Sequence, residues 1–80
     1  MKLFRNINAQ ELIKALEKLD YFPTRQKGSH IRLSNKMEPI HHITIPNHRP
    51  IKIGTLSSII KDIAFNNKMS KEELLILLFD

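Results

Sequence analysis

The chain has 80 residues, enough for one small domain spanning 1–80 but too few for a deep cleft between lobes, so a large substrate is favoured over a small metabolite. Thirteen Lys and Arg against eight Asp and Glu give a net charge of +5, which favours an anionic partner and above all nucleic acid. The lack of cysteine excludes disulfides and cysteine-based zinc sites, and no apolar run is long enough for a signal peptide in MKLFRN or for a membrane span, so we expect a cytoplasmic protein without membrane association.

The first predicted element is an amphipathic helix. It begins after Asn8, a polar cap that is followed by Glu11 at the spacing typical of helix starts. Apolar residues then recur at helical spacing, at Leu12, Ile13, Leu16 and Leu19. We expect the helix to end near Asp20, because the following Tyr21-Phe22-Pro23 disfavours helix.

A β-hairpin is predicted from Tyr21 to Ser34, where the apolar period changes to two and Gln26-Lys27-Gly28-Ser29 interrupts it. A loop of two residues (Lys27-Gly28) or of four (Gln26 to Ser29) pairs Arg25 with His30 and Phe22 with Leu33. Paired residues share a face of the sheet. We therefore expect an inner set, Phe22, Ile31 and Leu33, and an outer set, Arg25, His30 and Arg32; a three-residue loop would bury Arg32.

A third strand and two helices follow. In His42-Ile43-Thr44-Ile45-Pro46 the alternation predicts Ile43 and Ile45 inside, with His42 and Thr44 outside. An irregular crossing then leads to a helix that Thr55 is expected to cap. Ser70-Lys71-Glu72-Glu73 repeats the capping pattern before the apolar segment from Leu74 to Phe79, which either completes the core or forms a contact surface.

This order predicts an α+β fold of αβββα type, with a three-stranded antiparallel sheet, helices on one of its faces and a short C-terminal helix. The arrangement resembles the double-stranded RNA-binding fold. The uncovered sheet face would be lined by Arg25, His30, Arg32, His42 and Thr44.

Histidines are the first candidates for proton transfer, because they titrate near neutrality. His30 is favoured, since Arg25 and Arg32 share its predicted face, although an idle surface histidine would give the same pattern. A metal site is not expected, because His41 and His42 are adjacent on a strand and point to opposite faces. No phosphate-binding loop and no paired carboxylates are present in the strands.

Three blocks in order give a further indication. They are Gly28-Ser29-His30, the segment Ile43-Thr44-Ile45-Pro46-Asn47-His48, and Gly54-Thr55-Leu56-Ser57-Ser58-Ile59-Ile60-Lys61. Over nearly the whole chain the sequence resembles the HicA family of toxins. The family carries a Gly-Ser-His turn, a strand that ends in Pro-x-His and a helix that opens with Gly-Thr-Leu. This sequence departs from the family pattern between Asn35 and His41 and at Phe65-Asn66-Asn67-Lys68-Met69.

The resemblance implies a ribonuclease that cleaves messenger RNA, uses His30 as its catalytic residue and is held inactive by a HicB-like antitoxin. Because RNA supplies its own 2′-hydroxyl nucleophile, the protein has only to move protons and stabilise charge, without a metal or another cofactor. The candidate substrate-binding residues are Arg25, Lys27, Gly28, Ser29 and Arg32. His42 and His48 remain the candidates for the acid, with neither preferred.

Two other functions are compatible with the sequence. The first is a noncatalytic nucleic-acid-binding domain that uses the same basic face. The second is a protein interaction module built around the apolar C-terminal helix. Substitution of His30 separates an enzyme from a binder, because cleavage then disappears while RNA binding is largely retained.

Overall fold

The computed structural model describes residues 6–79. In chain order the elements are α1 Ala9–Leu16, a 3₁₀ turn Glu17–Leu19, β1 Tyr21–Lys27, β2 His30–Asn35, β3 His42–Pro46, α2 Ile53–Asn66 and α3 Lys71–Phe79. This order confirms the predicted αβββα fold with an additional C-terminal helix. Residues 1–5, most of the MKLFRN segment in which no apolar run is long enough for a signal peptide, lie outside the described part.

The strands form an antiparallel sheet in the order β1-β2-β3. Alternate residues of β2 and β3 point to its inner face and are buried, as predicted: Ile31, Leu33, Ile43 and Ile45. They belong to a core that includes side chains from all three helices, among them Leu12, Leu16, Ile60, Ile63 and Leu74. The helices therefore cover the inner face, and the outer face is open to solvent.

The β1–β2 hairpin has a different register from the predicted one. Gly28-Ser29 forms the turn, so that Lys27 pairs with His30, and Arg25 pairs with Arg32 rather than with His30. The predicted pairing is thus wrong by two residues. Since side chains alternate with a period of two, this shift leaves Arg25, His30 and Arg32 on the outer face, where they were expected.

A β-bulge in β1 corrects a second prediction. The register shifts between Pro23 and Arg25, which leaves Thr24 as an extra residue in that strand. On the N-terminal side of the bulge, Tyr21 takes the inner position and is fully buried. Phe22, which was predicted to face the core, instead pairs with Ser34 on the outer face. Proline cannot donate to the ladder and favours bulges, so Pro23 gives a physical reason for the irregularity at this point.

The first helix begins as predicted and ends in a tighter turn. The carboxylate of Glu11 accepts the backbone N–H of Asn8 at 3.1 Å. The α-helix stops at Leu16, and the last expected turn is a 3₁₀ turn instead. Asp20 then takes the left-handed conformation with φ of 62°, which redirects the chain into β1.

The second helix starts earlier than predicted. Its first residue is Ile53, and Thr55 lies in the first turn instead of capping it. The carbonyl of Lys52 accepts the N–H of Leu56 at 2.8 Å. Just before the helix, Ile51 is buried and donates its N–H to the carbonyl of Ile7 at 2.9 Å, so the chain is already fixed where the helix begins.

The third helix completes the core with part of its apolar surface. Its start is capped as predicted, because the backbone N–H of Glu73 donates to Ser70 Oγ at 3.0 Å and that of Ser70 donates to Glu73 Oε1 at 2.7 Å. Leu74, Leu75 and Leu78 are buried, whereas Ile76 and Leu77 remain exposed. The ammonium group of Lys18 donates to the carbonyls of Leu77 and Leu78, which ties the end of α3 to the 3₁₀ turn.

Candidate functional site

The solvent-facing side chains of the three strands form a polar surface, here called the outer sheet face. Its cross-strand pairs bring together Lys27 with His30, Arg25 with Arg32, Arg32 with Thr44, and Ser34 with His42. The predicted site residues of the strands therefore share one surface.

The hairpin turn fixes the position of His30 at one end of this face. Gly28 has φ of 59°, a left-handed conformation that side chains disfavour. With Gly28 and Ser29 as the central residues, the turn has glycine first, as in favoured two-residue hairpins. The carboxamide nitrogen of Gln26 donates to the carbonyl of Gly28 at 3.2 Å and braces the turn. His30 thus begins β2 at a defined place.

The side chain of His30 is exposed and makes no hydrogen bond with any residue of the part of the chain that the structure describes. Its neighbours across the sheet are Lys27 on one side and Pro46 on the other. An imidazole in this position is accessible to a large substrate, and both of its nitrogens are open to it.

The second of the sequence blocks lies directly beside the first. The backbone N–H of Asn47 donates to the carbonyl of Ser29 at 2.6 Å, which extends the β2–β3 ladder to the hairpin turn. The N–H of His48 then donates to the carbonyl of Pro46 at 2.8 Å, and its carbonyl accepts the N–H of Ala9 at the start of α1. The Gly-Ser-His turn and the Pro-x-His segment therefore form one end of the sheet.

The cations of the outer sheet face have no acidic partners in the described part of the chain. Arg25 and Arg32 lie opposite each other, and Lys27 lies beside the turn. Within residues 6–79, no carboxylate is within ion-pair distance of these three side chains. Since like charges side by side repel each other, their proximity favours an anion that neutralises them, as phosphates do.

The two histidines considered as the acid lie at different distances from His30. On β2 the residue beside His42 is Ser34, four positions beyond His30. At about 3.3 Å per residue, this separation is about 13 Å, too far for His42 to act on the same phosphate. His48 instead follows Asn47, whose backbone bonds to the hairpin turn.

The sequence did not reveal a polar network at the other end of the sheet. The buried hydroxyl of Tyr21 bonds to Nδ1 of His41 at 2.7 Å and accepts the amide of Asn67 at 3.2 Å and that of Asn66 at 3.5 Å. Nε2 of His41 reaches the carboxylate of Asp62 at 3.3 Å. Burial raises the pKa of Tyr21, against the amide bonds that lower it. The helical spacing of Asp62 and Asn66 was visible, but nothing in the sequence placed His41 against them.

The structure also explains the opposite orientations of His41 and His42. His41 turns towards α2, where Tyr21 and Asp62 bind it, and His42 lies exposed on the outer sheet face. Within residues 6–79, no group of three or more histidine, aspartate or glutamate side chains could hold a metal ion.

The third block opens α2, on the helical side of the sheet. Leu56, Ile59 and Ile60 are buried in the core, while Gly54 and Thr55 are exposed in the first turn. This block thus positions the helix that supports β3, and its apolar residues contribute packing.

A family model for the HicA toxin of bacterial toxin-antitoxin systems matches residues 9–64, from the start of α1 almost to the end of α2. The match covers more than half of the chain. This chain belongs to the HicA toxin family. No curated protein and no solved structure gives a significant match.

Membership in the family gives the protein a toxin role and implies a cognate antitoxin as a partner. All three sequence blocks lie inside the matched segment, and α3 lies outside it. The outer sheet face of this HicA toxin therefore belongs to the part that the family shares. None of the described helices has both the length and the apolar character needed to cross a membrane.

Proposed function

We propose that this HicA toxin is an endoribonuclease that cleaves messenger RNA with His30, and that residues 1–80 act in the cytoplasm as one toxin domain without a metal or another cofactor. The position of His30 carries the proposal. It is exposed at the start of β2, beside Lys27 and in line with Arg32, on a face where the cations have no acidic partners among residues 6–79. RNA is the polymer that supplies both the anion and the nucleophile for such a site.

In the proposed reaction, His30 takes the proton of the 2′-hydroxyl, and the 2′ oxygen attacks the adjacent phosphorus. The bond from phosphorus to the 5′ oxygen then breaks, which leaves a 2′,3′-cyclic phosphate and a 5′-hydroxyl. Lys27, Arg25 and Arg32 stabilise the additional negative charge of the transition state. The 5′ oxygen takes its proton from His48 or from water. Gly28 and Ser29 hold the turn against the RNA backbone.

The antitoxin of this pair is proposed to be a HicB-like protein that covers the outer sheet face. A site without a deep pocket is silenced most simply by occlusion, and acidic groups would complement Arg25 and Arg32. Protection of β1 and β2 from hydrogen exchange in the complex would support this arrangement. Protection confined to the helix Lys71–Phe79 would contradict it.

The decisive experiment compares purified wild-type protein with His30→Ala on RNA and on the same oligonucleotide with deoxyribose at the cut site. We expect wild-type cleavage to survive chelation of divalent ions and to give cyclic phosphate ends. Deoxyribose and His30→Ala should each abolish or strongly reduce it. Loss of cleavage in chelator with recovery on adding a divalent ion, or 5′-phosphate ends, would overturn the mechanism.

One observation favours a second function. No protein group within residues 6–79 orients the imidazole of His30, whereas general bases are commonly held by a hydrogen bond. A noncatalytic RNA-binding domain would use the same cations and need no such orientation. It would bind RNA equally well with histidine or alanine at position 30, and neither protein would cleave.

A further inference from the structure

A chain of hydroxyl groups crosses the outer sheet face away from His30. The hydroxyl of Ser34 on β2 lies 2.5 Å from Nδ1 of His42 on β3. It also lies 3.3 Å from the hydroxyl of Thr24, the extra residue of the bulge in β1. Thr24 in turn donates to the carbonyl of Arg32 at 3.3 Å. All three strands thus contribute to holding one histidine.

The direction of these hydrogen bonds determines how His42 is presented. Because Thr24 uses its proton on the carbonyl of Arg32, its oxygen accepts the proton of Ser34, and Ser34 accepts Nδ1–H of His42. Nε2 of His42 then has no partner among the residues that the structure describes. Two forms of His42 fit this chain, the neutral imidazole with Nδ1–H and the imidazolium ion, and of these the imidazolium ion presents Nε2–H as a donor to an anion. Ser34 is only 8% exposed, so the bond to His42 is partly buried on the side of Ser34.

These side chains line a shallow groove of about 560 Å³. Arg25, Arg32 and Lys36 contribute cationic side chains to it, and no carboxylate is present among its lining residues. A groove with three cations, an oriented histidine and no acidic group has the chemistry of a phosphate-binding site.

The groove lies on the same face as His30 but not at the same place. The cross-strand pair Ser34 and His42 is four residues along β2 from His30, about 13 Å away. A single phosphate cannot contact both histidines. A continuous RNA strand can, because its phosphates repeat along the chain.

We propose that His42, held by Ser34 and Thr24, binds a phosphate of the RNA other than the one that is cut, with Arg25 and Arg32 lying between the two phosphate positions. This inference rests on the proposed ribonuclease function, whose cleavage centre is His30. The RNA then runs along β2 from the hairpin turn to the Ser34–His42 pair. The second site fixes the strand so that the phosphate to be cut lies at His30.

The kinetic test compares an oligoribonucleotide with a dinucleoside monophosphate, which has no second phosphate. We expect His42→Ala to raise KM for the oligonucleotide about tenfold, the usual value of a hydrogen bond to a charged group, with little change in kcat. The same substitution should leave cleavage of the dinucleoside monophosphate unaltered. Equal losses on both substrates would overturn the proposal, because His42 would then act at the cut phosphate.

Binding gives an independent test in the His30→Ala background, where the RNA stays intact. Adding His42→Ala should weaken oligonucleotide binding about tenfold and reduce the slope of log affinity against log salt by about 0.7, the value for one phosphate of a single strand. An uncharged methylphosphonate at the corresponding position should weaken wild-type binding at least as much, and on that oligonucleotide His42→Ala should cost less than it does on the unmodified RNA. Unchanged affinity and slope would exclude the site.

Two further variants make the outcome unambiguous. Ser34→Ala removes the support of His42 without removing its imidazole and should give a smaller effect in the same direction, which provides a second test if His42→Ala does not fold. Lys61→Ala removes an exposed cation of α2 and controls for net charge. If His42→Ala weakens antitoxin binding but not RNA binding, the groove is a protein contact and the proposal is wrong.

These measurements also separate this inference from the proposed function. Absence of cleavage by the wild type, together with RNA binding that depends on His42, would refute the ribonuclease and retain the phosphate site. Normal cleavage with binding that does not depend on His42 would refute the phosphate site alone.

Discussion

The two ends of the sheet use histidine in opposite ways. At the hairpin end, His30 is exposed and makes no hydrogen bond to residues 6–79. At the other end, His41 is largely buried and bonds to both Tyr21 and Asp62. A polar group that the fold has satisfied contributes to stability, whereas an exposed group without a partner contributes little to it and is free for a ligand. The comparison predicts that substitutions at the two ends affect different measurements.

The largest expected effect is on catalysis at the hairpin end. His30→Ala should reduce the rate of RNA cleavage by about a hundredfold or more, the usual contribution of a general base. Its melting temperature should match that of the wild type, because an exposed side chain without hydrogen bonds contributes little to the core. The experiment measures single-turnover cleavage and thermal unfolding in parallel. A mutant that unfolds would assign His30 to the structure and remove the contrast between the two ends.

The opposite result is expected at Tyr21. Tyr21→Phe leaves His41, Asn66 and Asn67 without the hydroxyl they contact, which should lower the free energy of unfolding by about 1–3 kcal/mol. Denaturant titration measures this loss, and His41→Ala should show a loss of the same sign. Cleavage per folded molecule should be unchanged in both.

Tyr21 also provides a test at alkaline pH. Its pKa is raised in the folded protein, chiefly by burial. Its contribution to stability is therefore complete below pH 10.0 and is lost as the pH rises through the pKa of the folded state. Tyr21→Phe should lack this part of the alkaline decline. If the wild type and Tyr21→Phe lose stability in parallel above pH 10.0, the burial of this hydroxyl does not govern the decline.

A smaller effect is expected from the cations. Arg32→Ala should weaken RNA binding and reduce the slope of log affinity against log salt by about 0.7. Lys61→Ala makes the same change in net charge on α2, away from the outer sheet face, and should leave the slope almost unchanged. Equal effects of the two substitutions would mean that net charge, and not the arrangement of this face, drives binding.

The smallest effect concerns the exposed cap of α3. The carboxylate of Glu73 accepts hydrogen bonds from Ser70, chiefly from its backbone N–H and then from its side chain, and these bonds lower the pKa of Glu73 below 4.5. Glu73 therefore stabilises the fold above pH 4.5, and this stabilisation is lost as the pH falls through the lower pKa that Glu73 has in the folded state. Glu73→Gln should be slightly less stable than the wild type at neutral pH, with the difference shrinking in acid. A constant difference in melting temperature across this range would contradict the assignment.

Much of the fold followed from the alternation of apolar residues. The inner positions of Ile43 and Ile45 and the caps at Glu11 and Ser70 depend on local spacing, and the structure confirms them. The outer positions of Arg25 and His30 were also correct despite the wrong register, because an error of two residues preserves the face. Gly28-Ser29 is itself a favoured two-residue turn, so the register could have been read from the sequence.

Other features depend on contacts that periodicity does not reveal. The bulge at Thr24 exchanged the roles of Tyr21 and Phe22, and Pro23 within a strand was its one visible sign. The Tyr21 network and the chain from Thr24 through Ser34 to His42 join residues of different strands and helices. Strand order and helix packing determine which of these side chains meet. Polar residues without a periodic pattern do not reveal either of them.

The bulge at Thr24 has a consequence for how this toxin can vary. Because of the bulge, one short strand places Arg25 on the outer sheet face and Tyr21 in the core, and the two side chains share no hydrogen-bond partner among residues 6–79. Free-energy changes at sites without common partners are usually additive. Substitutions among the proposed RNA-binding residues near the hairpin can therefore accumulate in a lineage without lowering the stability that the opposite end of the sheet provides. Deletion of Thr24 would exchange the inner and outer faces in one half of β1, and substitutions at the two ends would then no longer be independent.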